Sequence, residues 1–278
     1  MNDALLSTIV ERLRNVPGVQ AVVLGGSRGH GRGTAKPDSD YDIGLYFDSP
    51  DTFDIAALNT VAKAFDDEHR DDLCTPVGGW GPWVVGGGWL QVDGAPVDFI
   101  YRELPRVQRV VQACVQGEVT VGYQAGHPYG FVSSIYAGEV ATCQILWEQK
   151  QSNEGVRRLK AQLEPYPVAL KKAIIDTFAW EAGFCAAIAR KPAQRGDVAY
   201  VHGALFRAVM CMTQILFALN AQWWLNEKSA VALAATFAHT PSNYAERVNE
   251  MFASQPLQAI EMLIALDNEQ NRLIVEHG

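Results

Sequence analysis

A chain of 278 residues, 48% of them hydrophobic and with no low-complexity tract, holds enough material for two folded domains with substantial cores. Its net charge of -8 argues against a long nucleic acid as the main partner, because phosphate binding needs an accumulated basic surface. Five widely and irregularly spaced cysteines, with no Cys-x-x-Cys pair or Cys/His cluster, read as reduced thiols of a cytoplasmic protein without a zinc site.

The N-terminus lacks a basic region followed by an apolar core, so no signal peptide is expected, and Leu5 to Leu13 reads as an amphipathic helix. The valine-rich run Val19 to Leu24 is bounded by glycine and predicts a buried strand. Where it ends, Gly25-Gly26-Ser27-Arg28 has the make-up of a phosphate-holding turn. The two glycines free the backbone for positive φ and for close approach of a ligand, and Ser27 with the following amides supplies donors. A second strand is predicted over Tyr41 to Phe47, and its period of two puts Asp40 and Asp42 on one face. Paired carboxylates are costly without a cation, and hard oxygen ligands suit Mg²⁺ bound together with substrate phosphates.

A helix follows over Ile55 to Arg70, with Ile55, Leu58, Ala62 and Phe65 at helical spacing. Asp93-Gly94 is a hairpin-turn signal between arms Trp83 to Val92 and Pro96 to Tyr101. Asp98 stands in the middle of the second arm among Val97, Phe99 and Ile100. It calls for a partner such as a metal or an arginine, the metal being favoured. Trp80, Trp83 and Trp89 flank this hairpin, where they either stack on a base or sugar or pack the hairpin itself.

From Glu103 onward the periodicity is helical, with Leu104, Val107, Val110, Val111 and Cys114 on one stripe and no further convincing strand. The division is set at 1–115 and 116–278. Gly117 to Phe131 reads as an ordered connector, and His127 within it as a loop hydrogen-bonding residue, since no partner carboxylate is identifiable. Pro165-Tyr166-Pro167 opens a helix from Val168 to about Arg190, ended by Lys191-Pro192, with Lys171 and Lys172 in its first turn. The stretch from about Val198 to Leu225 is apolar on most sides. It carries His202, Arg207 and Gln214, which favours a buried bundle helix over a membrane span. Further helices are expected near Ser229, Tyr244 and Leu257. Glu139, Glu148, Asp176 and Glu181 are the candidate substrate-side carboxylates of this half.

The sequence Gly26-Ser27-Arg28, the run Gly33 to Asp42 and Val97-Asp98 together resemble the DNA polymerase beta-like nucleotidyltransferase superfamily, and within it the small enzymes that modify aminoglycosides or lincosamides. The resemblance covers roughly Val19 to Arg102. The connection from Ser27 to Asp40, containing Gly29-His30-Gly31-Arg32, is longer than the family's usual one. Phosphate contacts from Arg28, Arg32 and Lys36 depend on that loop more than the carboxylate assignments do.

The resemblance implies an α+β chain: an N-terminal nucleotidyltransferase domain with a mixed sheet, followed by a C-terminal helical bundle. It implies catalytic and metal-binding roles for Asp40, Asp42 and Asp98, and nucleotide binding by Gly26, Ser27 and Arg28. Two Mg²⁺ ions and a nucleoside triphosphate, ATP first, are the implied cofactor and substrate; in several resembling enzymes a helical-domain lysine reaches the triphosphate, a role open here to Lys171 or Lys172, for which a solvated helix face is the commoner use. The implied acceptor is a small-molecule hydroxyl, an antibiotic first, which would connect the chain with antibiotic resistance. A protein acceptor, and a nucleotide-sensing module without turnover, are the alternatives. No membrane partner is expected, and a homodimer whose second subunit completes the cleft is compatible with the resemblance.

Overall fold

The computed structural model describes residues 3–29, 39–150 and 155–278. They cluster into two units, one comprising Met1–Gln112, Gly122–Gly126 and Tyr136–Glu164, the other Ala113–Val121, His127–Ile135 and Pro165–Gly278. The two units therefore interleave along the chain between residues 112 and 165.

The first unit begins with α1 (Asp3–Leu13), β1 (Val19–Leu24), the single turn α2 (Gly26–Gly29), β2 (Tyr41–Phe47) and α3 (Ile55–Phe65). It continues through β3 (Gly87–Val92), β4 (Ala95–Glu103) and α4 (Leu104–Val115), the last of which runs past the boundary between the units. Two short strands follow, β5 (Val121–Gly122) and β6 (Phe131–Val132), then α5 (Ser134–Thr142), β7 (Gln144–Glu148) and α6 (Val156–Gln162). Five strands form one sheet in the order β3-β4-β2-β1-β7. Only β2 and β4 run parallel, so the sheet is mixed as expected. The Asp93-Gly94 turn joins β3 to β4 with both residues at positive φ (54° and 68°), the conformation a two-residue hairpin demands.

One face of the sheet is the hydrophobic core. Ile43, Leu45 and Phe47 of β2, Val97, Phe99 and Tyr101 of β4, and Leu90 and Val92 of β3 pack there with Ile9 and Leu13 of α1 and Leu58 and Ala62 of α3. Strand alternation sends the intervening residues, Asp42, Gly44 and Tyr46 on β2 and Asp98, Ile100 and Arg102 on β4, to the opposite face. Part of that second face is sealed by α5. Its Glu139 forms a two-pronged ion pair with buried Arg102 at 2.7 and 2.6 Å, and Tyr136 receives the same guanidinium over its ring at 5.2 Å.

Two expectations are corrected here. Strands β5, β6 and β7 lie in a region predicted to hold none: β5 and β6 pair with each other, and Gln144-Ile145-Leu146-Trp147-Glu148 pairs antiparallel with the edge of β1. The helix predicted to reach Arg70 stops at Phe65, because Asp66 turns inward. Its fully buried carboxylate accepts from Gln91 N (3.0 Å), Arg70 Nε (2.9 Å) and a terminal Arg70 nitrogen (2.6 Å). One residue thereby caps α3 and ties it to β3.

The second unit is a helical bundle of α7 (Val168–Phe178), α8 (Glu181–Gln194), α9 (Val198–Leu219), α10 (Ala230–Ala234), α11 (Tyr244–Ala253) and α12 (Pro256–His277). The helix predicted from Val168 to Arg190 is two helices. The second starts at Glu181, whose buried carboxylate is gripped by Arg207 at 2.5 and 2.8 Å, and it runs past Pro192 to Gln194. By length and composition α9 could cross a membrane, but it is the bundle's central helix. It packs against α7, α8 and α12 with most of its residues buried.

Two measurements test this packing. The hydrogen bonds from Arg70, opposed by burial but aided by the backbone donors, hold the Asp66 carboxyl well below the usual carboxylate range. A depressed folded pKa contributes stability that is full above the unfolded value of about 4 and is lost as pH falls from there toward the folded one. Asp66→Asn is expected to lower stability at pH 7 by about 2 kcal/mol, and the loss should shrink below pH 4 in denaturant titrations. All five cysteines are free and buried, and burial pushes the Cys74, Cys114 and Cys143 thiols up to about 11 and Cys211 to about 12. A thiol-exchange reagent at pH 8 should therefore leave the native protein unmodified and titrate all five thiols after unfolding.

Candidate active site

The site is built where β1 ends. Gly25 N donates to the Asp42 carbonyl oxygen at 2.7 Å, extending the β1–β2 pairing one residue past the strand, and Gly29 N closes the α2 turn on Gly25 O at 2.8 Å. Gly26 has φ +56°, and a Cβ built on it would lie 1.7 Å from Asp42 Oδ2. No side chain fits between this backbone and that carboxylate. Gly25 differs, since a Cβ there meets its nearest neighbour, Asp42 O, at an ordinary 3.6 Å.

The parallel register then matters. Asp42 and Asp98 are direct Cα partners on β2 and β4, both half-buried, so their side chains share a face on strands about 5 Å apart. Asp40 is exposed and stands just outside the ladder, one residue before β2 begins. The structure thus brings Asp42 and Asp98 side by side and leaves Asp40 at the mouth of the strand. Among the described residues, no group of three or more His, Cys, Asp or Glu side chains closes on a metal position. The donor set nevertheless fits Mg²⁺, which needs only one or two carboxylates and keeps its remaining positions for water and phosphate oxygens.

Arg28 has a structural engagement that its sequence position did not reveal. Its Nε and a terminal nitrogen donate to the Ser39 carbonyl at 3.0 and 2.7 Å, and its guanidinium lies 4.0 Å from the centre of the Tyr41 ring. The side chain therefore clips the segment that carries Asp40 onto the end of β1. Arg32 and Lys36 lie outside the described residues.

Of the hairpin tryptophans, Trp83 packs against Tyr136 with ring centres 5.7 Å apart, and its backbone N–H is held by Gln124. Trp80 and Trp89 stack on each other at 4.7 Å. The four candidate substrate-side carboxylates are all ion-paired within their own units: Glu139 with Arg102, Glu148 with Arg157, Asp176 with Lys172 and Glu181 with Arg207. Lys171 donates to the His277 carbonyl, so both lysines of that helix have partners within the bundle.

His127 does have a carboxylate, which the sequence hid a hundred residues away. Its Nδ1 meets Glu227 Oε2 at 3.2 Å, and Glu227 also accepts from Tyr129 N at 3.0 Å. Burial opposes the charge on Glu227, but these donors outweigh it and hold its pKa below the ordinary value. The pair fixes the loop after Gly126 to the bundle, and no local sequence signal marks it.

Replacing Gly26 by Ala should displace the Asp42 carboxylate and strain the turn, reducing turnover about 100-fold, the scale of a misplacement near 1 Å. Gly25→Ala should keep most activity. Pyrophosphate-release rates of the two variants, with thermal unfolding as the fold control, test the contrast.

Residues 6–77 match a family model described as a nucleotidyltransferase domain. The match takes in β1, the glycine turn, Asp40, Asp42 and α3, and stops short of Asp98. Among solved structures, the chain is similar to a nucleotidyltransferase-like protein from Exiguobacterium sibiricum 255-15, at 13% identity over 99% of this chain and 76% of that one, with a TM-score of 0.44. No curated protein matches the chain. Residues 6–77 thus carry a nucleotidyltransferase domain.

Proposed function

We propose that the protein moves a nucleoside monophosphate from a triphosphate, ATP first, to a hydroxyl group of a small molecule, with an antibiotic of the aminoglycoside or lincosamide kind as the leading acceptor. The observation that carries this reading is the juxtaposition of Asp42 and Asp98 in one register, with the Gly26 backbone pressed against Asp42.

In this reading Gly26, Ser27 and Arg28 border the triphosphate, the glycine turn allowing its oxygens to approach the backbone. Asp40 and Asp42 would hold Mg²⁺ that accompanies the triphosphate, and Asp98 would share a second ion on the acceptor side. Bound there, the two ions would lower the cost of charge on the attacking and leaving oxygens. The Asp98 carboxylate takes the proton of the acceptor hydroxyl. The acceptor oxygen bonds to the α-phosphorus, the bond from that phosphorus to the bridging oxygen of the β-phosphate breaks, and pyrophosphate leaves. An acidic chain of net charge -8 suits a polycationic acceptor, and five buried free thiols suit the reducing cytoplasm.

Pyrophosphate release is to be measured for each nucleoside triphosphate with Mg²⁺ across a panel of aminoglycosides, lincosamides and polyols. Release is expected to require both an acceptor and the metal, to vanish with a chelator, and to fall at least about 100-fold in Asp42→Asn and Asp98→Asn while their unfolding transitions stay near the parent's. Undiminished turnover in either variant removes the proposed site. ATP binding without release across the panel redirects the reading to a protein acceptor or a sensor.

A further inference from the structure

The face that carries Asp42 and Asp98 continues onto β3. Trp89 is the Cα partner of Asp98 across the hairpin, so the rung reads Asp42, Asp98, Trp89 from β2 through β4 to β3. The Gly25-Gly26 turn adjoins Asp42 from β1, on the other flank of the carboxylate pair. With strands about 5 Å apart, Trp89 lies one strand beyond Asp98 and two beyond Asp42.

Trp89 is 63% exposed, unusual for the largest side chain, and hairpin packing does not account for it. The core side of β3 is filled by Leu90 and Val92 instead. The indole is held rigid from one side by Trp80, at 4.7 Å and 21° between planes. Trp80 in turn sits over Gly87, where a Cβ would come within 2.5 Å of its ring. A Cβ at Gly87 would also meet the Phe99 carbonyl oxygen, at 2.1 Å, so a bare backbone there suits both the β4 pairing and the Trp80 ring. The result is a firm aromatic surface beside the carboxylate farthest from the glycine turn.

We propose that Trp89, backed by Trp80, is the acceptor platform of the site, and that the acceptor is a compact polyhydroxylated ring, a sugar or aminocyclitol, whose flat face lies on the indole while one hydroxyl reaches Asp98. This rests on the transferase reading above and assigns Trp89 to its acceptor side. A ring of this kind offers an apolar face for stacking, and ammonium substituents add attraction to the indole π-system. The nucleoside belongs to the opposite flank, with its phosphates at the glycine turn.

The test uses the full chain labelled with ¹⁵N-tryptophan, the Trp80 and Trp89 indole signals being assigned from Trp80→Phe and Trp89→Phe. Kanamycin, lincomycin and myo-inositol are titrated separately from ATP with Mg²⁺. At least one ring compound should shift the Trp89 indole signal, whereas ATP with Mg²⁺ alone should not. In steady-state kinetics with that compound, Trp89→Ala should raise the acceptor KM about tenfold with kcat and the ATP KM nearly unchanged, and Trp89→Phe should recover most of the loss. A Trp89 signal moved by ATP alone, a raised ATP KM, or silence toward every ring compound overturns the proposal. Failure of the parent reading shows elsewhere, as full turnover in Asp98→Asn.

Discussion

The site depends on the register between β2 and β4. A strand's side chains alternate, so sliding β4 by one residue would bury Asp98 in the core and expose Val97 or Phe99 in its place. The register is held by the core face, where Ile43, Leu45 and Phe47 and their partners Phe99 and Tyr101 are all fully or almost fully buried. Apolar packing on one side of the sheet thereby fixes the separation of two carboxylates on the other. The parallel pairing adds a further condition, because the chain must cross from the end of β2 back to the start of β4 through α3 and the β3 hairpin. That crossing delivers Trp89 to the same rung.

The non-core face is divided along its length. Towards the C-terminal ends of β2 and β4, Tyr46 and Arg102 are buried under side chains of α5. Burial works against the charge on Arg102, but the two-pronged contact with Glu139 holds the guanidinium more firmly protonated than usual. A buried ion pair of this kind contributes little net stability against an apolar pair, yet losing one partner strands the other charge. Its role is positional, since it fixes α5 over the Arg102 end of the face. The closed end and the reactive end of the same two strands are then four residues apart on β4.

Much of this was legible in the sequence, because the informative residues are local. The valine run, the glycine pair, the alternation through Asp42 and the Asp93-Gly94 turn each act within a few positions, and each formed where expected. The failures share a different physics. β7 is an edge strand whose Ile145, Leu146 and Trp147 are only partly buried, so its short apolar run reads no differently from the helical stripes around it. The end of α3 is decided by Asp66 meeting Gln91, and the Glu181 carboxylate at the start of α8 meets Arg207, both contacts between residues distant in sequence. The same is true of His127 and Glu227. A polar residue whose meaning is its partner carries no signal until the fold supplies that partner.

Arg28 shows how local signal and distant contact combine at one residue. Its place after Gly26-Ser27 suggests a phosphate ligand, and its guanidinium also bonds the Ser39 carbonyl and lies over the Tyr41 ring. Those contacts lie on either side of Asp40 and immediately before Asp42. The clip therefore ties down the stretch that carries two acidic side chains. An arginine is suited to this because its planar fork bonds a carbonyl and stacks on an aromatic ring at once, which a lysine ammonium does not do. The positive charge beside the glycine turn and the order of the carboxylate segment thus come from one side chain, and any ligand that drew Arg28 away from Ser39 would have to supply the order that the contact now provides.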